Sequence, residues 1–288
     1  MALIIVFLIF MVVGQTLGLV LTEAIYHLDF TEISDMVNRP ERYAIGANRF
    51  FLISSSLIQF ICCACFFSWL VSEKDFLKIR TVVVALSIPV ACLTILACIP
   101  LVSYLAEVNN LIRLPAGLHN LEAWMQASEA RIDHLEKFLM ATHGPSDLAV
   151  NLIMIALIPA IGEELLFRGC FQQLMIRTFR SPHIGILAAA VLFSALHLQF
   201  YGFFPRVFLG LLLGYLYYWS RSIWLSMAAH FFNNALAVLS ASVSAMNTKF
   251  LNTDTAQSFT LPWVFLSALV VSLGMLSIFR AYKLKGTH

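Results

Sequence analysis

The chain has 288 residues, 60% of them hydrophobic and only 12% charged, with a formal net charge of +2 and a mean hydropathy of +0.84. A soluble domain carries roughly 25% charged residues, so one globular core cannot account for so much apolar surface. The composition excludes an ordinary soluble protein, the small net charge offers nothing to nucleic acid, and a polytopic membrane protein is the class that remains.

Eight apolar stretches are long enough, or nearly so, to span a bilayer: approximately 2–22, 49–71, 81–106, 148–178, 182–201, 204–220, 222–246 and 262–280. The predicted fold is therefore an all-α polytopic bundle of about eight transmembrane helices. The first stretch has no basic region ahead of it and exceeds a signal-peptide core, so it is read as a retained span. The stretch 23–48 is polar, with Asp29, Glu32, Asp35, Arg39, Glu41 and Arg42. Within 107–147, "NLEAWMQASEARIDHLEKFLM" places Leu121, Trp124, Met125, Ile132, Leu135 and Leu139 at helical spacing, against Glu122, Glu129, Asp133 and Glu136. That pattern predicts an amphipathic helix on the membrane surface or over the bundle. Its acidic face argues against anionic lipid and for covering or gating the bundle. No internal repeat or low-complexity linker is evident.

The organisation expected is an N-terminal part (1–147) with the first spans and this surface helix, a helix core (148–246), and a last span with a basic tail (247–288). Cys62, Cys63, Cys65, Cys92, Cys98 and Cys170 all fall in apolar segments and are expected to be packing residues, with no structural zinc spacing among them. With eight crossings, Lys74, Lys78 and Arg80, then Arg177 and Arg180, then Arg280, Lys283 and Lys285 share one side. The positive-inside rule puts that side, and both termini, in the cytoplasm.

Against this background "IGEELLFRGC", residues 161–170, stands out. An ionisable side chain near the bilayer centre costs about 2.5–3.5 kcal/mol on insertion scales, so it faces the bundle and has a partner. Glu164 and Arg168 are four apart on a helix and can pair. Glu163, about 100° around the axis from Glu164, needs a reason of its own. The fifth span carries "FSALH", with Phe193 and His197 four apart; the seventh carries "HFFNN", with His230 and Asn234 four apart. The remaining histidines, His27, His119, His134, His143, His183 and His288, fall in loops or at chain ends.

Depth makes convergence feasible. Glu163 and His197 each lie about 15 residues, on the order of 22 Å, from the cytoplasmic ends of their spans, and His230 and Asn234 roughly 12 and 18 Å. A carboxylate beside an imidazole can take a proton from water and deliver it to a leaving amine. A second imidazole and an amide are donors suited to a developing oxyanion. That set describes attack of activated water on an amide carbonyl. No Ser in a G-x-S context and no H-E-x-x-H helix competes.

The motifs "EELLFR" (Glu163, Glu164, Arg168), "FSALH" (Phe193, His197) and "HFFNN" (His230, Asn234) resemble the EExxxR, FxxxH and HxxxN motifs of the CAAX prenyl protease and bacteriocin-processing family, also called CPBP or Abi. The resemblance covers roughly 148–246, and it implies that this stretch is the catalytic core of a helix bundle built around an intramembrane catalytic cavity. It implies an intramembrane endopeptidase in which Glu163 and His197 activate the water, His230 and Asn234 form the oxyanion site, and Glu164 and Arg168 orient it. It also implies a peptide or protein substrate, prenylated or otherwise membrane-associated, with the lipid bilayer as the protein's surroundings. Catalysis without a cofactor is expected. Zinc held by Glu163, His197 and His230 is the mechanistic alternative, and a proton-coupled transporter or a non-catalytic membrane scaffold is the alternative of another class.

Overall fold

A computed structural model describes residues 2–140, 144–247 and 259–284; His143, Lys285 and His288 lie outside them. All secondary structure among the described residues is helical. In chain order the helices are α1 (Ala2–Tyr26), α2 (Phe30–Asn38), α3 (Ile45–Val71), α4 (Ser87–Ala97), α5 (Ile99–Leu111), α6 (His119–Met140), α7 (Pro145–Phe179), α8 (Pro182–Leu196), α9 (Phe203–Ser220), α10 (Ile223–Asn247) and α11 (Leu261–Lys283). The fold class is the predicted one, an all-α polytopic bundle, and the six cysteines are free thiols.

Among the described residues, six helices are long and apolar enough to cross a bilayer: α1, α3, α7, α9 with the turn before it, α10 and α11. The chain is an integral, multi-pass membrane protein. Two of the eight expected spans differ in detail. The third is two helices, α4 and α5, bent by 42°. Pro100 sits in the first turn of α5, where it has no N–H to continue the helix and its ring crowds the carbonyl four residues back. The fifth is the 15-residue α8, which stops at Leu196. His197 explains the stop: its ring Nδ1 lies 2.7 Å from the Phe193 carbonyl, the acceptor that its own backbone N–H would use in a continuing helix. That N–H goes instead to the Ser194 carbonyl at 3.3 Å, and Leu198 follows in the left-handed region, φ 54°.

The polar stretch 23–48 holds a helix that the hydropathy reading passes over. α2 is short, with Ile33 and Met36 buried, and it starts on a capping box. The Glu32 N–H donates to Asp29 Oδ1 at 2.8 Å and the Asp29 N–H to Glu32 Oε2 at 2.8 Å. The Thr31 hydroxyl also donates to Asp29, and this bond with the Glu32 N–H holds the Asp29 carboxyl below its ordinary range.

The described chain forms two compact units, neither continuous in sequence. The first takes residues up to Leu77, His134–Cys170 and α10 from Asn234 onward. Here α1 turns a stripe of small residues, Gly14, Gly18 and Thr22, toward α3; a Cβ on Gly14 would stand 3.0 Å from the Ser55 carbonyl oxygen. Arg49 of α3, 7% exposed, donates to Asp147 at 2.7 Å, to Asn151 Oδ1 at 3.1 Å and to the Leu139 carbonyl at 3.3 Å. One guanidinium thus ties α3 to the start of α7 and the end of α6.

The second unit takes Lys78–Asp133, Phe171–Asn233 and α11. Its core is built from Ile95 of α4, Leu213 and Leu216 of α9, Leu225 of α10, and Ile278 and Tyr282 of α11. The Tyr282 hydroxyl accepts the Val84 N–H at 3.1 Å. α8 packs along α9 and along the last turns of α7.

Candidate active site

The EExxxR motif lies in the first unit, on a helix that departs from α geometry at two places. α7 is π-helical over Leu152–Leu157 and again over Glu164–Gln172. Such wider turns concentrate at functional sites. The first has a local cause, because Pro159 has no N–H for the Ile155 carbonyl. The helix absorbs the defect with i→i+5 bonding, the Ile158 N–H reaching the Ile153 carbonyl. Pro159 therefore leaves α7 helical throughout, where the sequence invites a broken span. The Ile155 carbonyl accepts instead from Asn234 Nδ2 of α10 at 3.3 Å, which fixes the plane of that amide.

The two adjacent glutamates have different environments. Glu164 is fully buried and Arg168 is 1% exposed, and Arg168 Nη1 lies 3.1 Å from Glu164 Oε1. Glu163 is only half-buried. The pairing expected of Glu164 and Arg168 is present, and Glu163 presents a more accessible carboxylate one residue away. Gly162, just before it, is a close-approach position: a Cβ there would come within 2.8 Å of Phe60 Cβ on α3. Gly162→Ala is expected to destabilise by about 1–3 kcal/mol through overpacking, seen as a lower Tm in detergent. An unchanged Tm would mean that α3 and α7 part at no cost.

The second unit brings together Phe193 and His197 from the end of α8 and His230 from α10. The Phe193 ring lies 4.7 Å from the His197 ring and 6.1 Å from the His230 ring, centroid to centroid, edge-on to both at 68° and 87°. Phe193 is buried and His230 is 5% exposed, while His197 is half-buried. A carbonyl oxygen can only accept, so the Nδ1 contact with Phe193 assigns a proton to Nδ1 of His197. In the neutral ring the lone pair then resides on Nε2, the arrangement a proton acceptor needs. The turn after His197 is also held. Asn109 of α5 donates to the Phe200 carbonyl at 2.8 Å and accepts the Phe204 N–H at 3.0 Å, and the Ser194 hydroxyl donates to the Phe203 carbonyl at 2.8 Å.

The predicted amphipathic helix exists as α6, with Met125, Ile132 and Leu135 half-buried, Leu139 buried and Asp133 and Glu136 exposed as its pattern implies, but four positions depart from it. Glu122 and Glu129 are half-buried, while Leu121 and Trp124 are exposed. Glu129 accepts the Tyr201 N–H at 3.0 Å and Trp124 stacks at 5.5 Å on Phe200. An unpaired backbone N–H in the turn after α8 is a stronger claim on a carboxylate than open solvent.

Three buried residues escape a motif reading. Gln172, 1% exposed, donates from Nε2 to the Gly214 carbonyl at 3.0 Å. It continues the i+4 series Glu164–Arg168–Gln172, so a signal was present. Asn109 and Ser194 have no comparable signature, since each acts on backbone groups. Among the described residues of either unit, no three His, Cys, Asp or Glu side chains gather in a group able to hold a metal ion.

These features define a class: helical, multi-pass membrane proteins with carboxylate, guanidinium and imidazole side chains buried in their spans. Comparison gives a likeness over part of the chain. Residues 145–236 match the family described as "Type II CAAX prenyl endopeptidase Rce1-like", which bears out the resemblance read from the three motifs. A protein of Bacillus subtilis (strain 168), described as "Uncharacterized protein YpbD", is 32% identical over 90 residues, which is 30% of this chain and 43% of that protein. The match thus spans less than half the length of that relative. No solved structure matches the chain.

Proposed function

We propose that the protein is an intramembrane endopeptidase of the CAAX type, hydrolysing a peptide bond of a prenylated or otherwise membrane-associated peptide or protein. In this reading a water proton passes to the Glu163 carboxylate, with Nε2 of His197 as the companion acceptor. The hydroxide so formed adds to the scissile carbonyl carbon, and donors from His230 and Asn234 stabilise the oxyanion. The proton then passes to the amide nitrogen, the C–N bond breaks, and the amine leaves. Glu164 and Arg168 support the helix that presents Glu163. Both termini are placed in the cytoplasm.

The observation that carries the reading is the contrast between neighbours. Glu164 is spent inside an ion pair, and Glu163 is half-buried beside it within a segment that matches a peptidase family.

The test is cleavage by the purified protein in liposomes, against a peptide library that includes prenylated C-terminal peptides, with and without a chelator. Chelator-insensitive cleavage lost in His197→Ala supports the metal-free mechanism. Cleavage abolished by chelation and restored by zinc replaces it with the zinc mechanism. Full cleavage by His197→Ala removes the proposed proton acceptor.

A further inference from the structure

The second unit contains a cavity that the proposed chemistry does not use. It has a volume of about 200 Å³ and is lined by Lys78, Gln173, Ile176, Arg177, Tyr217, Tyr218 and Arg221. Three of these seven side chains are cationic, and none of the described residues lining it is acidic. They come from three separate places in the chain: the segment before α4, the last turn of α7, and the residue after α9. Arg177 and Arg221 lie at the ends of apolar helices, the level at which a bilayer gives way to its headgroups, and Lys78 lies in the segment between α3 and α4.

The cluster is built rather than incidental. The segment 78–81 is stitched to the turn between α9 and α10 by three hydrogen bonds. The Ile223 N–H donates to the Lys78 carbonyl at 3.2 Å, the Ser222 hydroxyl to the Thr81 carbonyl at 2.7 Å, and the Trp224 indole N–H to the Ile79 carbonyl at 2.8 Å. Lys78 and Arg221 both occupy the left-handed region, with φ of 56° and 51°. For Arg221 this is the left-handed cap that ends α9; for Lys78 it is an uncommon conformation for a non-glycine residue. Here the stitching brings two like charges to one cavity, against their mutual repulsion.

We infer that this cavity is a binding site for a phosphate-type anion, and specifically for the headgroup phosphate of an acidic phospholipid. Guanidinium groups match phosphate oxygens in a forked geometry, and a lysine ammonium adds a compact charge. The volume suits a headgroup rather than a larger ligand, and basic pockets between spans on the membrane surface are the known form of acidic-lipid recognition. The inference is independent of the peptidase reading, since none of its residues has a role in hydrolysis.

The experiment uses the full-length protein in a neutral, lipid-free detergent and follows its unfolding midpoint during titration. The probes are short-chain phosphatidylglycerol, short-chain phosphatidylcholine and inorganic phosphate. Phosphatidylglycerol is expected to raise the midpoint where phosphatidylcholine does not. Its apparent affinity should fall about fivefold in Arg221→Gln and about 30-fold in Lys78→Gln/Arg221→Gln, from about 1 kcal/mol per basic residue at an anionic surface. Lys78→Arg/Arg221→Lys, which keeps the charge, should retain binding. If the double Gln variant does not fold, the exposed Arg221→Gln alone carries the comparison. Stabilisation by inorganic phosphate equal to that by phosphatidylglycerol, and lost in the same variants, keeps the anion site but overturns the lipid as its source. Equal stabilisation of wild type and Gln variants, or none by either anion, overturns the site.

Discussion

Glu163→Gln should abolish peptide cleavage while leaving the unfolding midpoint where it is. The substitution keeps size and hydrogen-bonding capacity but removes the ability to accept a proton. General acid–base contributions are typically on the order of 10²- to 10⁴-fold in rate, and that is the loss expected in kcat. The fold should be indifferent, because Glu163 is half-buried and the buried ion pair of its helix uses Glu164. Single-turnover cleavage of the best library peptide, beside a thermal scan of the same preparation, makes the comparison. A fully active Glu163→Gln with an intact fold would end the glutamate mechanism and favour a scaffold or a different base.

Glu164→Ala should do the opposite and act on the fold first. Arg168 is 1% exposed and would lose the carboxylate 3.1 Å away while its guanidinium stays buried. Removing one member of a buried pair costs about 3–5 kcal/mol, whereas replacing both by apolar residues of similar volume is often neutral. The expected order of unfolding midpoints is therefore wild type close to Glu164→Leu/Arg168→Met, with Glu164→Ala and Arg168→Ala both well below. Equal midpoints for the single and double variants would show that the pair contributes nothing to stability. A double variant that folds but does not cleave would separate support from chemistry within one motif.

These two variants also mark what was legible in the sequence. Hydropathy alone gives the class and most of the spans, because a bilayer imposes length and apolarity so strictly. The i+4 spacing of Glu164–Arg168 transfers directly to an ion pair, and that of Phe193–His197 to a ring contact. Interruptions within a span are less visible. Pro100 and Pro159 look alike in sequence, yet one accompanies a 42° bend and the other is absorbed in a π turn. At Pro159 a side chain from another helix takes the orphaned carbonyl, a tertiary fact. The end of α8 was hidden for a related reason, since a histidine side chain replaces a backbone donor there. On α6 the sequence pattern groups Glu129 with the other acidic residues on a polar face, and it answers to a backbone N–H in the turn after α8.

The bond from Asn234 to the Ile155 carbonyl has a consequence for how this sequence can change. A proline usually registers as damage to its own helix, yet here the vacancy it makes is the anchorage of a side chain on another. Pro159 and Asn234 therefore form a pair across 75 positions of chain that never need touch, one by withholding a donor and the other by supplying it. Restoring an N–H at 159 would give the carbonyl two suitors. Drift at Pro159 should then act on the Asn234 amide, a dependence that no inspection of side-chain contacts would suggest.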